Sequence, residues 1–247
     1  MRDLGSPQVV ILSGGLGTRV RHVAGELPKA LIPIRGEPFV HHQLRLLQRQ
    51  GVREILFLTG YQGASIEAAV GDGSAFGLAV SYVDEGDERH GTAGALRIGL
   101  EAEALRESFA VLYGDSYLPI ELAPIWAAFA DADRPALMTV LRNQDRWDRS
   151  NAVLDGGLVT LYDKRPEARD PRMAWIDYGI GMLTRDVVQA VPSGAIADLG
   201  DLYRELSVRG QLAGFEVSSR FYEVGSTKGI ADLETYLEHM PEVRSAP

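Results

Sequence analysis

The chain contains no cysteine. Disulfides, thiolate metal sites and cysteine nucleophiles are excluded, and any bound metal must take oxygen or imidazole ligands. No apolar run approaches the ~18 residues of a membrane helix. Residues 1–8 lack the basic and apolar regions of a signal peptide. Both absences lead us to expect a cytoplasmic protein with no membrane partner. Basic residues are in the minority, 25 Lys and Arg against 34 Asp and Glu, for a net charge of −9. A nucleic-acid partner is therefore not expected. A small anionic ligand is not excluded, because local charge can oppose the net charge. The five histidines form no zinc-ligand pattern. There is no GxSxG elbow, and Ser13 and Thr18 have no partnered histidine, so nucleophilic serine or threonine catalysis is not supported.

What is present is an ordered alternation. Residues 9–13, 54–59, 79–83 and 109–113 read as strands, being short apolar or alternating runs. Residues 39–50, 65–70 and 92–104 read as the helices between them. This βαβ order predicts an α/β fold, with a Rossmann-like mixed, mainly parallel sheet and helices on both faces. The second half is less regular. Residues 136–141, 180–183 and 215–217 are strand candidates, and Asp155-Gly156-Gly157 marks a hairpin between residues 151–154 and 158–162. Leucines at helical spacing predict helices over residues 198–208 and 228–239. There is no internal repeat and no low-complexity linker. The whole chain, 1–247, reads as a single domain, with a nucleotide-binding half to about residue 140 and a second half over about residues 141–240. The tail from Pro241 is expected to fray.

The densest motif follows the first strand: Leu12-Ser13-Gly14-Gly15-Leu16-Gly17-Thr18-Arg19, then Pro28-Lys29. Three glycines in four positions leave backbone N–H groups bare for close approach, most naturally to a phosphate. Arg19 and Lys29 add positive charge. The spacing fits neither a dinucleotide fingerprint nor a Walker A loop, and a tight turn with solvated charges is the bland alternative. Gly114-Asp115 directly follows the strand at 109–113. It is placed where open α/β sheets bind ligands, and a carboxylate there suits Mg²⁺, although Gly-Asp is also a common turn. Gly91-Thr92-Ala93-Gly94 opens a helix that either meets a ligand or is capped by Thr92 and packed closely. The acidic loop from Asp84 to Glu88 holds Glu85, which can accept hydrogen bonds from a base or remain solvated.

Taken in order, these pieces resemble the sugar-1-phosphate nucleotidyltransferases. That family opens with Gly-Gly-x-Gly-Thr-Arg and then Pro-Lys, which appear here at Gly14–Arg19 and Pro28-Lys29. The resemblance extends over nearly the whole chain and is strongest to about residue 140. It looks nearest to the heptose-phosphate guanylyltransferases and N-acetylmuramate-phosphate uridylyltransferases, with the glucose-1-phosphate thymidylyltransferases in the same group. The resemblance implies that Leu12, Gly14, Gly15, Gly17, Thr18, Glu85, Gly91 and Thr92 bind the nucleotide. Arg19, Lys29 and Asp115 would be catalytic. Asp163, Lys164, Asp177 and Gly179 would meet the sugar phosphate, and Asp115 and Glu223 would hold Mg²⁺. Two departures stand out. Glu223-Val224-Gly225-Ser226 occupies the place of the family's second metal-binding Asp and its Gly-Thr. Asp177-Tyr178-Gly179 replaces its usual Asn before Gly, and an Asp cannot donate as an amide does.

The implied reaction joins an NTP and a sugar 1-phosphate into an NDP-sugar and pyrophosphate. The acceptor is already anionic, so no general base is required, and positioning and charge stabilisation should dominate. Neither the base nor the sugar is fixed by the sequence, and a homo-oligomer remains open. Two other readings also stay open at this point: a cytidylyltransferase for a phosphorylated alcohol or amine, and a non-catalytic nucleotide-sugar-binding regulatory subunit.

Overall fold

A computed structural model describes residues 7–15, 27–86, 88–168 and 170–240. Its centre is a nine-stranded sheet. The strands in chain order are β1 (Gln8–Ser13), β2 (Pro33–Ile34), β3 (Glu37–Pro38), β4 (Glu54–Thr59), β5 (Ala79–Asp84), β6 (Ser108–Tyr113), β7 (Ser116–Tyr117), β8 (Ala136–Arg142), β9 (Ala152–Asp155), β10 (Leu158–Tyr162), β11 (Trp175–Thr184), β12 (Leu212–Val217) and β13 (Tyr222–Glu223). The large sheet runs β5-β4-β1-β6-β11-β8-β12-β10-β9, and two small ladders pair β2 with β3 and β7 with β13. Pairing is parallel from β5 through β6 and between β8 and β12. It is antiparallel around β11 and β10. The sheet is thus mixed, with β11 and β10 running against the other strands.

The helices are α1 (Phe39–Arg49), α2 (Gly63–Val70), α3 (Gly91–Glu101), α4 (Leu122–Asp131), α5 (Arg185–Gln189), α6 (Leu199–Val208) and α7 (Thr227–His239). Alternation along the central strands assigns them to two faces. Val9, Ile11, Ile55 and Phe57 pack with Val40 and Leu44 of α1, Ile66 of α2 and Phe129 of α4. Val10, Leu56, Leu58 and Val111 pack on the other side with Leu96 of α3, Val188 of α5 and Tyr203 of α6. Helices therefore cover both faces, and each wholly buried Leu, Ile or Phe contributes about 1.5–3 kcal/mol of burial free energy. A third cluster joins Tyr117 and Val224 of the β7–β13 region to Phe39 of α1 and Leu233 of α7. It fixes the small ladder beside the C-terminal end of β6. Ser226 caps α7, its hydroxyl accepting from the Gly229 N–H at 3.0 Å.

Several elements exceed the sequence-based expectation. β11 is ten residues long rather than the four apolar ones at 180–183, and a register shift interrupts its pairing with β8 between Asp177 and Gly181. Helix α4 has no counterpart in that reading. Among the described residues no helix is long and apolar enough to cross a membrane.

Candidate active site

Strands β5, β4, β1 and β6 are parallel, so their C-terminal ends deliver four loops to one edge. Close backbone packing forms the floor there. A Cβ on Gly114 would stand 2.6 Å from the Leu12 carbonyl, and one on Gly60 would stand 3.3 Å from Gly14 Cα. Above this floor lies a cleft of about 600 Å³. The end of β1 and the loop after it contribute Leu12, Gly14 and Gly15, the loop after β5 contributes Glu85, and the start of α3 contributes Gly91 and Thr92. Lys29 and Asp115 lie in the same cleft. Gly17, Thr18 and Arg19 lie outside the described residues.

Lys29 and Asp115 meet across it. The Lys29 ammonium donates to Asp115 Oδ2 at 2.6 Å, and both side chains are largely shielded. Lys29 sits on a 3₁₀ turn, Lys29–Leu31, that follows Pro28. Asp115 sits in the turn between β6 and β7. The Val224 N–H donates to the Asp115 carbonyl at 2.9 Å, so the β13 strand that carries Glu223 runs directly alongside. A Cβ on Gly225 would lie 3.8 Å from both Asp115 Oδ2 and Lys29 Nζ. Among the described residues no three His, Asp or Glu side chains gather to hold a metal unaided.

Glu85 closes the nucleotide side of the cleft. Its N–H donates to the Thr59 carbonyl at 2.7 Å. Its carboxylate packs on Gly14, where a Cβ would come within 2.6 Å of Oε1. Burial, helped by the neighbouring Asp84 charge, pushes its pKa up to about 7.

The start of α3 lines the cleft and packs closely, but Thr92 does not cap it: His90 stands at the N-cap, with no side-chain capping hydrogen bond. Gly91 and Thr92 line the cleft, yet the Ala93 and Gly94 N–H groups donate to the Ala197 carbonyl at 2.9 and 3.2 Å. Thr92 Oγ1 accepts from the Leu199 N–H at 2.7 Å. Gly91 has φ +71°, and a Cβ there would lie 2.4 Å from the Ala197 oxygen. Two of the amides expected to face a ligand thus bind residue 197 instead, anchoring the segment that leads into α6.

The family model described as Nucleotidyl transferase matches residues 8–156, more than half of the chain. The chain belongs to the nucleotidyl transferase family. It is 28% identical over 214 residues to the UTP–glucose-1-phosphate uridylyltransferase of Synechocystis, covering 81% of this chain but 55% of that protein. It is 34% identical over 159 residues to the D-glycero-alpha-D-manno-heptose 1-phosphate guanylyltransferase of Aneurinibacillus thermoaerophilus, covering 64% of this chain and 67% of that one. The solved structure of a putative glucose-1-phosphate thymidylyltransferase from Bacillus anthracis, in complex with a sucrose, superposes with a TM-score of 0.83 at 20% identity. That match covers 96% of this chain and 97% of the other. At that identity the likeness establishes the fold.

The remaining expected residues of this nucleotidyl transferase lie beyond the cleft lining. Asp177 lies in β11, part-buried, its Oδ1 accepting from the Gly179 N–H at 3.0 Å. The Tyr162 hydroxyl donates to its Oδ2 at 3.3 Å. Burial raises the Asp177 pKa, and Lys164 works against that rise. Lys164 itself donates to Asp198 Oδ1 at 2.6 Å. Asp198 also caps α6, accepting from the Gly200 N–H at 2.7 Å. Asp163 is engaged otherwise: both its oxygens take the Arg165 guanidinium, at 2.6 to 3.2 Å, which holds its pKa below the usual range. Tyr113 connects the two regions. It lines the cleft half-buried, and burial, with the Asp177, Asp198 and Asp115 charges nearby, raises its pKa. The sequence reading named neither Tyr113 nor Gly60 and Tyr61, which also line the cleft. All three sit at or just past the end of a parallel strand, the rule that found Asp115.

Proposed function

We propose that this protein joins an NTP and a sugar 1-phosphate into an NDP-sugar and pyrophosphate. The observation that carries the reading is the Lys29–Asp115 pair, 2.6 Å apart in a cleft bounded by bare glycine backbone. An ammonium and a carboxylate side by side in a cleft this size suit a polyanion and its counter-cation. The sugar-phosphate oxygen bonds to the α-phosphorus as the bond to the departing pyrophosphate breaks. That oxygen is anionic near neutral pH, so the site needs to position two anions in line rather than remove a proton. Lys29 offsets their repulsion, and Arg19, from the same motif, is assigned the same task on the triphosphate.

The donor set fits Mg²⁺, a hard cation that takes one or two carboxylates and completes its shell with water and substrate phosphates. Asp115 and Glu223 would hold it, and when bound it would neutralise charge on the phosphates. Gly14, Gly15, Gly17, Thr18, Gly91 and Thr92 are read as the nucleotide side. Lys164, Asp177 and Gly179, reached past Tyr113, are read as the sugar side, with Asp163 positioned by Arg165. The single domain then divides near residue 140 into these two halves. Steady-state pyrophosphate release tests the assignment. Lys29→Ala and Asp115→Ala should each lose about 100-fold or more in turnover, the scale of removing one charge-stabilising contact. Near-normal release by either variant would remove that residue from the chemistry.

A further inference from the structure

Asn151 ties together the two strand segments that carry Asp163 and Asp177. Strand β9 pairs with β10 on one side and meets β11 on the other, at Ala152 and Trp175, which closes β11, β8, β12, β10 and β9 into a ring. Asn151 is the residue immediately before β9, at the seam of that ring. Its N–H donates to the Trp175 carbonyl at 2.8 Å, and its own carbonyl accepts from the Asp163 N–H at 2.9 Å. Two residues along β11 from the seam, the Asp177 N–H donates to the Asn151 side-chain Oδ1 at 2.9 Å. A carboxamide thus supplies the acceptor that a ladder carbonyl would otherwise provide. The backbones of Asp163 and Asp177 are both pinned to this one residue.

Arg149, two residues earlier, secures the loop that follows Asp163-Lys164. Its guanidinium donates to the Pro166 carbonyl at 2.7 Å, to the Arg165 carbonyl at 3.1 Å and to the Ala168 carbonyl. All three acceptors are main-chain oxygens, so these bonds order a backbone rather than pair a charge. The Asp177 carboxylate is fixed from another direction by the Gly179 N–H and the Tyr162 hydroxyl. We propose that Asn151 is a positioning residue for the acceptor sugar phosphate: with Arg149, it sets the spacing between Asp163-Lys164 and Asp177. The inference rests on the reading of Lys164, Asp177 and Gly179 as the sugar side. Alanine at position 151 keeps both backbone bonds and removes the one to the Asp177 N–H. Asp177 can then shift against Asp163, and a misplacement of about 1 Å is enough to undo a positioned contact.

The test is isothermal titration calorimetry, with Mg²⁺, of the native protein, Asn151→Ala and Arg149→Met. The probes are glucose, mannose and heptose 1-phosphates and, separately, GTP, UTP, dTTP, CTP and ATP. Each variant should bind the preferred sugar phosphate about 10-fold more weakly, the scale of one or two hydrogen bonds, while its nucleotide affinity is unchanged. In turnover, KM for the sugar phosphate should rise by that factor and KM for the NTP should not. A residue that only closed the ring would lower the thermal midpoint without this asymmetry. Unchanged sugar-phosphate binding in Asn151→Ala would overturn the proposal, and so would an equal loss for both ligands. Should Asn151→Ala not fold, Arg149→Met, which keeps an apolar stem, decides by the same criteria. Pyrophosphate release, measured in parallel, separates the two claims. A sugar phosphate that binds, weakens in the variants and is never turned over keeps the brace and removes the transfer reaction. Turnover that both variants retain with the native acceptor KM keeps the transfer and removes the brace. Neither binding nor turnover of any sugar phosphate removes both.

Discussion

Replacing Glu85 by Gln should stabilise the protein at pH values above about 4.5, where the carboxylate of the unfolded chain ionises. The group rises from an ordinary 4.5 in the unfolded chain to about 7 when folded. That rise corresponds to about 3 kcal/mol as an upper bound, and residual exposure screens part of it. Below pH 4.5 both states carry the proton and there is no penalty. Between 4.5 and 7 the unfolded chain releases its proton while the folded chain keeps it, so rising pH favours unfolding. Above 7 the penalty is complete. Asp84 adds to it from the same strand; Gly14 and Thr59, packed around the group, carry no charge, and Glu88, Arg89, His90 and the Lys29–Asp115 pair share the cleft. The neutral amide escapes the penalty at every pH. Urea unfolding followed by tryptophan fluorescence should therefore show a gap of under about 1 kcal/mol at pH 5 that opens to about 2–3 kcal/mol at pH 8. At pH 8 this equals about 5–10 °C in Tm. A gap that is the same at both pH values, or a variant less stable at pH 8, would refute the reasoning.

Two other substitutions probe the junction between α3 and α6. Gly91→Ala forces a Cβ into the Ala197 carbonyl at a left-handed φ of +71°. A loss of about 2–3 kcal/mol is expected from overpacking and strain, and an unchanged thermal midpoint would show that the segment yields freely. Asp198→Ala removes the α6 cap and the partner of Lys164, with about 0.5–2 kcal/mol expected from the cap. Asp198→Asn should recover most of that stability, and equal damage from both would mean that the charge, not the cap, matters.

The parallel half of the fold was legible because each strand is a short apolar run bounded by a helix-period segment. Glycine and acidic residues cluster where those strands end, so Gly14, Glu85 and Asp115 could be placed on one edge before any coordinates. The second half yielded less. Asp177 and Gly179 interrupt the apolar run of β11, and Gly179 has φ +104°, so a ten-residue strand reads as four. Helix α4 carries Pro124, a breaker in sequence terms, yet it falls in the first turn, where its missing N–H leaves no gap in the helix. The ladders β2–β3 and β7–β13 are two residues long, too short to show any period. In the site, residue type was readable and commitment was not. Nothing in the sequence says that the Asp163 carboxylate is clamped by Arg165 or that Thr92 accepts from Leu199, because both partners are chosen by the fold.

The central claim is that this cleft moves a nucleotidyl group onto a sugar 1-phosphate. Phosphorus NMR of the protein with NTP, Mg²⁺ and a panel of sugar 1-phosphates addresses it directly. The account predicts pyrophosphate together with a new diphosphate diester, both strictly dependent on the acceptor and both lost in Asp115→Ala. Pyrophosphate without the diester, or product formation undiminished in Asp115→Ala, would contradict it.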